Sequence, residues 1–228
     1  MLGATHHEKA YVAPFFAFMA LLLVAEIVGK LFEGQAFWIV AAPRYWIFPL
    51  QTVVCAAVLA RYWRNYEWGR LRNPVFTFGV AVLTFFIWVA PQEWFHQPRR
   101  IEGFDPWFFG NNGIVTVVSV AIRFVRLVIV VPLLEEIFWR GFLLRYLIHP
   151  DFVRVPFGAF RWSSFGAVSL LFAIAHWGPD FVPALITGAL FNLVAHRTRS
   201  LVCCVLTHAV TNLLLGIYIL KTGQWGFW

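Results

Sequence analysis

The chain has 228 residues, of which 61% are hydrophobic and only 13% are charged. Soluble globular domains carry about 45–50% apolar and about 25% charged residues, so this composition excludes that class and predicts an integral membrane protein. The net charge of +7 comes mainly from arginines between apolar segments, and no basic helix or nucleic-acid-binding motif accompanies them. Binding of nucleic acid is therefore not expected.

The first half of the chain contains three apolar stretches, approximately 12–28, 45–60 and 75–90. Each is near the length of about 20 residues that a transmembrane helix needs. No small-residue cleavage site follows the first stretch, which predicts a membrane helix rather than a signal peptide. The polar segment 91–112 is too short to form a core of its own and is expected to lie at the membrane interface.

The second half begins with a long helical pattern, 113–149, that is interrupted at Pro132. Proline kinks or ends a helix, so this pattern predicts either one span with a tilted second arm or two spans. Three further spans follow at about 163–176, 181–196 and 201–220. The predicted fold is an all-α polytopic membrane helical bundle of about 7–8 transmembrane helices. We treat 1–228 as a single membrane domain, with N-terminal helices in 1–112 and a helical core in 113–220.

Arginine placement predicts the orientation of this bundle. If 113–149 crosses the membrane once, the arginine-rich loops 61–73, 145–161 and 197–199 all lie on one side, which the positive-inside tendency assigns to the cytoplasm.

The three cysteines give no indication of a metal site or a disulfide. Cys55, Cys203 and Cys204 fall within apolar runs without metal or disulfide spacing, so we interpret them as packing residues.

The main candidates for function are ionisable residues inside an apolar run. Glu135, Glu136 and Arg140 belong to the segment VPLLEEIFWRG. Such residues are costly within a membrane and commonly mark a functional site. Glu136 and Arg140 are four residues apart and share a helix face, whereas Glu135 points about 100° away. This spacing predicts an ion pair for Glu136 and a free carboxylate at Glu135, although a purely structural lock between helices is also consistent with it.

Two later spans carry further polar residues. His176 ends one apolar span, and His208 and Asn212 share a face of the last. Each has a simple structural explanation, as an interfacial histidine or as an interhelical hydrogen-bonding pair. As a set, however, they complete the groups needed to hydrolyse an amide. A carboxylate beside an imidazole can take a proton from water, and histidine and asparagine donors can stabilise an oxyanion.

These residues occur in three ordered motifs: Glu135-Glu136-x-x-x-Arg140-Gly141, Phe172-x-x-x-His176 and His208-x-x-x-Asn212. The set resembles the CAAX protease and bacteriocin-processing (Abi) family of intramembrane glutamate endopeptidases, which includes the type II CAAX prenyl endopeptidases. The resemblance covers roughly residues 130–215, and residues 1–112 carry no family signal. Within this family, the chain also resembles a bacterial subgroup of aromatic-rich chains of similar length that accompanies exosortase-type protein-sorting systems.

The resemblance implies roles for the candidate residues. Glu135 is expected to activate water with assistance from His176, and His208 with Asn212 to stabilise the oxyanion. Glu136 and Arg140 are expected to support them. No cofactor is expected, and the expected partners are the lipid bilayer and a membrane-associated protein or peptide substrate. The resemblance also implies a bacterial plasma (inner) membrane location and an active site that opens towards the cytoplasm. The oligomeric state is not readable from the sequence.

Three other hypotheses remain open at this stage. Glu135, His176 and His208 could bind zinc in a metal-dependent membrane protease, although no HExxH-type spacing is present. The chain could instead be a non-catalytic relative, such as a bacteriocin-immunity factor or a partner in a sorting system. A proton-coupled transporter would also need intramembrane acids and histidines, but the repeated halves common in transporters are absent from the sequence.

Overall fold

The computed structural model describes residues 6–110 and 113–228, and within these ranges the chain forms helices, turns and irregular segments without a β-strand. The helical segments are α1 (His6–Leu31), α2 (Trp38–Ala41), α3 (Arg44–Tyr62), α4 (Pro74–Glu93), α5 (Gly113–Tyr146), α6 (Trp162–Ala175), α7 (Phe181–Thr198) and α8 (Leu201–Thr222). The predicted all-α helical bundle is confirmed.

Five of these helices are long and apolar enough to cross a membrane: α1, α3, α4, α5 and α8. α6 has only 14 residues, and the 18 residues of α7 include an asparagine, a histidine and an arginine. Since α6 and α7 pack extensively against each other, they complete the bundle as a helical hairpin. With the short α2 set aside, the described residues form seven helices of 14 or more residues, of which five, rather than the expected 7–8, are long and apolar enough by themselves to cross a membrane.

The bundle is organised around α5. This helix contacts α1, α3, α6 and α8, while α1 pairs with α3 and α4 pairs with α8. Stacking of the Phe15 and Phe138 rings, with centroids 4.0 Å apart, packs α1 against the C-terminal third of α5. Apolar side chains buried between helices form the core, and many large apolar side chains are exposed on the outside, as a lipid-facing surface requires.

Contacts between loops define two ends of the bundle. At the first, which we call the basic end, loops 61–73 and 145–161 meet the 197–200 turn. Arg145 joins them there, since its guanidinium binds the Glu67 carboxylate at 3.1 Å and the Val155 carbonyl at 2.8 Å. At the opposite, distal end, segment 94–110 meets the turn between α6 and α7 and the C-terminus of the chain. The Arg100–Asp180 ion pair, 2.6 Å long, is one of its contacts.

α5 continues through Pro132 without a break, so residues 113–146 form one helix rather than two. Two π-helical stretches, Val125–Val130 and Ile137–Leu143, flank the proline-containing turn. In a π-helix each N–H bonds to a carbonyl five residues back, and such local adjustments let a membrane helix accommodate proline. The sequence was consistent with either one span or two for residues 113–149. A single helix forms because the π-helical hydrogen bonds accommodate Pro132.

Candidate active site

A cavity of about 240 Å³ lies between α4, α5, α6, α7 and α8. Its polar lining comes from four helices and one turn. The lining residues are Trp88, Leu127, Val131, Glu135, Phe172, His176, Asp180, Thr187, Phe191, His208, Thr211, Asn212, Leu215, Gly226, Phe227 and Trp228. Glu135, His176, His208 and Asn212, the four residues for which the sequence predicted chemistry, therefore share one cavity.

Glu136 faces away from this cavity and forms the centre of a buried ionic network. One oxygen, Oε1, accepts a hydrogen bond from the Arg140 guanidinium at 3.0 Å and lies 2.9 Å from Nδ1 of His208. Neither Glu136 nor Arg140 is accessible to solvent. The predicted Glu136–Arg140 pair is present, and the second contact, to His208, links α5 to α8.

Arg140 also fastens α5 to α7. Its Nε donates to the Asn192 side-chain oxygen at 3.2 Å, and a terminal nitrogen donates to the Gly188 carbonyl at 3.3 Å. The Asn192 amide donates onward to the Ser169 hydroxyl at 3.2 Å, which ties α7 to α6. An added Cβ at Gly188 would lie 3.0 Å from the Ser169 Cα, so any larger residue there would require α6 to shift by a few tenths of an ångström. A compact hydrogen-bonded framework therefore surrounds the buried charge.

Glu135 has no such charged hydrogen-bond partner and lines the cavity, which distinguishes it from Glu136, although Oε2 of Glu136 also lacks a donor among the described residues. The Glu135 side chain is buried, and its Oε2 accepts no hydrogen bond from the described residues. A buried carboxylate oxygen without a donor is costly unless water or a ligand completes it. The division that helical spacing predicted is therefore present, with Glu136 held in the network and Glu135 directed to the cavity.

The contact with Glu136 constrains the protonation of His208. A carboxylate oxygen accepts hydrogen bonds, so Nδ1 of His208 must carry the proton. In the neutral ring, Nε2 then holds a lone pair, whereas in the imidazolium both nitrogens donate. His208 can thus accept a proton at Nε2 when neutral, or donate there when charged.

His176 has a matching constraint at the end of α6. Its Nδ1 lies 2.9 Å from the Phe172 carbonyl, which can only accept, so Nδ1 carries a proton here too. The ring packs against the edge of Trp88 with centroids 5.8 Å apart, and the Trp88 indole donates to the Thr187 hydroxyl at 2.9 Å. Phe172 and Trp88 therefore orient the imidazole, and Nε2 is left for the cavity.

Pro132 explains the position of Asn212. In the preceding π-helical stretch, Val131 N–H bonds to the carbonyl of Arg126, five residues back. The next such bond would join Pro132 to the Leu127 carbonyl, but proline has no N–H. The Asn212 amide donates to this carbonyl at 2.9 Å instead. Since a side-chain amide has two N–H donors, one remains for a ligand.

Several of these positions were not singled out from the sequence. Asn192 supports Arg140, and Trp88 orients His176. Asn192 carried a signal, because it is an amide within an otherwise apolar span. Trp88 carried none, since it is one of 12 tryptophans in the chain.

A metal ion at this site would need several converging His, Cys, Asp or Glu ligands. In the described part of the chain, no three His, Cys, Asp or Glu side chains converge in an arrangement that could hold one. Glu135, His176 and His208 line the same cavity without forming such a cluster. Zinc binding by these three residues stays a prediction for experiment.

The cavity extends from Glu135 towards the distal end of the bundle. Asp180, Phe227 and Trp228 line it there. Among the described residues that line it, none belongs to loops 61–73 or 145–161 or to the 197–200 turn. The reactive groups are therefore connected to the end that lacks the arginine-rich loops.

Comparison with known proteins adds one match. Residues 117–214 match the family model "Rce1-like: Type II CAAX prenyl endopeptidase Rce1-like". No curated protein matches the chain, and no solved structure matches it. The matched region starts within α5, ends within α8, and contains Glu135, Glu136, Arg140, His176, His208 and Asn212. Residues 117–214, which contain all six candidate residues, are therefore similar to the Rce1-like type II CAAX prenyl endopeptidases.

Proposed function

We propose that this protein is an intramembrane endopeptidase that hydrolyses a peptide bond of a membrane-associated protein. The family match supports a protease at the level of the family. One observation supports catalysis by this particular chain. Glu135 has an oxygen without a hydrogen-bond donor in a cavity that it shares with His176, His208 and Asn212, while the adjacent Glu136 is held by Arg140.

In the proposed reaction, a water molecule in the cavity transfers a proton to the Glu135 carboxylate. The water oxygen then attacks the carbonyl carbon of the scissile peptide. General-base catalysis of this kind contributes about 10²–10⁴-fold to a rate. His176 assists through Nε2, because its Nδ1 proton is engaged by Phe172.

The attack forms a negative charge on the carbonyl oxygen. The second N–H of Asn212 and, when protonated, Nε2–H of His208 stabilise this oxyanion, with Glu136 balancing the charge of the imidazolium. When the carbon–nitrogen bond breaks, the amide nitrogen takes up the proton that Glu135 received. Water is thus consumed, and the carboxylate is regenerated.

The decisive experiment compares the membrane proteomes of cells expressing wild type and Glu135→Gln. This variant keeps the size of the side chain but removes the base. Glu33→Gln, at an exposed acid between α1 and α2, is the matched control. We expect a cleavage fragment that appears with wild type and with the control and is absent with Glu135→Gln. The same fragment at the same level in all three strains would rule out the proposed chemistry and favour a non-catalytic relative.

Chelation separates the proposed mechanism from a zinc-dependent one. We expect cleavage of the identified substrate to persist after exhaustive treatment with a chelator, because Glu135 acts on water directly. Loss of cleavage that added zinc restores would instead favour Glu135, His176 and His208 as metal ligands.

The side from which the substrate enters follows from the cavity and the charges. The resemblance led us to expect a bacterial plasma membrane protein whose site opens to the cytoplasm. Arginines concentrate at the basic end, which favours that end as cytoplasmic, whereas the cavity reaches the distal end. We therefore propose that the substrate reaches Glu135 from the distal end, on the non-cytoplasmic side.

A further inference from the structure

A second polar cluster lies on α5, away from the proposed active site. Arg123 is only 3% exposed, and all three nitrogens of its guanidinium lack a hydrogen-bond acceptor among residues 6–110 and 113–228. Its guanidinium carbon lies 4.9 Å from the Phe48 ring, 5.0 Å from Phe104 and 5.3 Å from Trp228. Aromatic faces therefore hold the cation from several sides, but no carboxylate or carbonyl satisfies its N–H groups.

Arg126, one helical turn further along, is also buried. Its Nε donates to the Gln51 side-chain oxygen at 2.8 Å, and the Gln51 amide donates to the Phe18 carbonyl at 2.7 Å. Its guanidinium carbon lies 4.5 Å from the Phe48 ring. Arg126 is therefore held in one orientation by α1 and α3.

Both arginines line a cavity of about 130 Å³. The remaining lining residues are Tyr45, Phe48, Pro49, Phe104, Ser119 and Ile122, none of which is acidic. Tyr45 is the second residue of α3, and its hydroxyl donates to the Asp105 carbonyl at 3.0 Å in the segment that covers the distal end. The cavity thus lies near the first turns of α3 at the distal end, where we expect lipid headgroups to meet the hydrocarbon.

Electrostatics favour an anion in this cavity. The two ionisable groups that act most strongly on Arg123 are Arg126 and Arg44, both cationic, and the third is the phenol of Tyr45. The one acid that acts on Arg126 is Glu135, which lines the other cavity and not this one. Burying a charge without a partner costs several kcal/mol, which a packing role alone does not explain. Guanidinium groups bind phosphate through paired, charge-assisted hydrogen bonds, and two of them match its charge.

We propose that Arg123 and Arg126 bind a phosphate group in this cavity. The phosphate comes either from a phospholipid headgroup at the distal interface or from free inorganic phosphate. Arg123 provides the unpaired N–H donors, and Arg126, oriented by Gln51, provides the second cation. This site is separate from the proposed proteolysis and does not depend on it.

Thermal unfolding of the full chain, purified in a maltoside detergent that contains no phosphate, tests the proposal. The probes are inorganic phosphate, phosphatidylglycerol and diacylglycerol with the same acyl chains. A ligand that binds only the folded state raises the unfolding midpoint. We expect wild type to be stabilised by at least one phosphate-containing probe and not by diacylglycerol. Stabilisation by inorganic phosphate would show that free phosphate is sufficient for binding. Stabilisation by phosphatidylglycerol alone would show that the bound phosphate belongs to a lipid headgroup.

The variants make the assignment specific. Arg123→Gln should lose the shift and, without phosphate, should be no less stable than wild type, because it removes an unpaired buried charge. Arg123→Lys keeps the positive charge but loses the planar set of N–H donors of the guanidinium. We therefore expect about tenfold weaker binding of the phosphate probe. Lys221→Gln, at an exposed cation near the same end, should retain the full shift. A wild type that no phosphate probe stabilises, or an equal shift in Arg123→Gln, would overturn the proposal.

Discussion

At the scale of single residues, the two adjacent glutamates have opposite surroundings. Oε2 of each carboxylate lacks a donor among the described residues, but Oε1 of Glu136 accepts from Arg140 and contacts His208, whereas Glu135 has no such partner and lines the cavity. Adjacent positions on a helix point about 100° apart, so one can belong to the framework while the other meets the substrate. The same type of side chain therefore occupies two different environments.

This difference predicts opposite effects of the same substitution at the two positions. Glu135→Gln should abolish substrate cleavage and leave the unfolding midpoint near that of wild type. Glu136→Gln removes the partner of a fully buried arginine, which typically costs about 3–5 kcal/mol. The measurement is thermal unfolding in detergent together with cleavage of the reporter. Equal loss of stability in both variants would show that Glu135 is also part of the framework.

Asn192 supports Arg140 and is not in contact with the proposed cavity groups. Asn192→Ala should therefore lower stability by about 1–3 kcal/mol, because the Nε of Arg140 loses its acceptor. Thr198→Ala is a control, since it also removes a buried hydrogen bond on α7 but far from Arg140. If Asn192→Ala is no more destabilising than the control, the arginine network is less important for stability than its geometry indicates.

At the scale of elements, the active-site geometry depends on an irregularity in α5. Pro132 lacks the N–H that would bond to the Leu127 carbonyl, and Asn212 on α8 supplies a donor in its place. One missing backbone donor thus positions a side chain on another helix. π-helical turns occur frequently at functional sites, and here two of them flank the turn that carries the glutamates.

A double-mutant cycle tests this coupling between Pro132 and Asn212. Asn212→Ala alone should destabilise the fold by about 1–3 kcal/mol, since it leaves the Leu127 carbonyl unpaired in the membrane. In a Pro132→Ala background the restored N–H can satisfy that carbonyl, so the same substitution should cost less. The free energies of unfolding of the four proteins give the coupling energy. Additive effects would show that the two residues act independently.

At the scale of the whole molecule, the distribution of charge is asymmetric between the two ends. Arginines dominate loops 61–73, 145–161 and 197–200, whereas segment 91–110 carries three acids and two arginines. The cavity extends to the end without the arginine-rich loops. The orientation of the chain therefore decides which compartment supplies the substrate.

Cysteine labelling in intact cells measures this orientation. The three native cysteines are buried, so a membrane-impermeant maleimide should report only an introduced thiol. We expect Gln97→Cys, exposed at the distal end, to react in intact cells, and Arg154→Cys, exposed at the basic end, to react only after permeabilisation. If Arg154→Cys reacts in intact cells and Gln97→Cys only after permeabilisation, the cavity opens to the cytoplasm, as the family resemblance implies.

From the sequence alone we could predict the class of the molecule, its five long apolar helices and the set of six polar candidates, whereas α6 and α7, also expected as spans, are not among the helices long and apolar enough to cross a membrane. Composition and the length of apolar runs are local properties, and helical spacing alone separates Glu135 from Glu136. The tertiary structure decided what depends on contacts between distant segments. It joined His208 to Glu136, Asn192 to Arg140 and Asn212 to the carbonyl that Pro132 leaves free, and it connected the cavity to the distal end. Which side chains of different helices meet depends on how the helices pack and rotate, and no local pattern in the sequence specifies that.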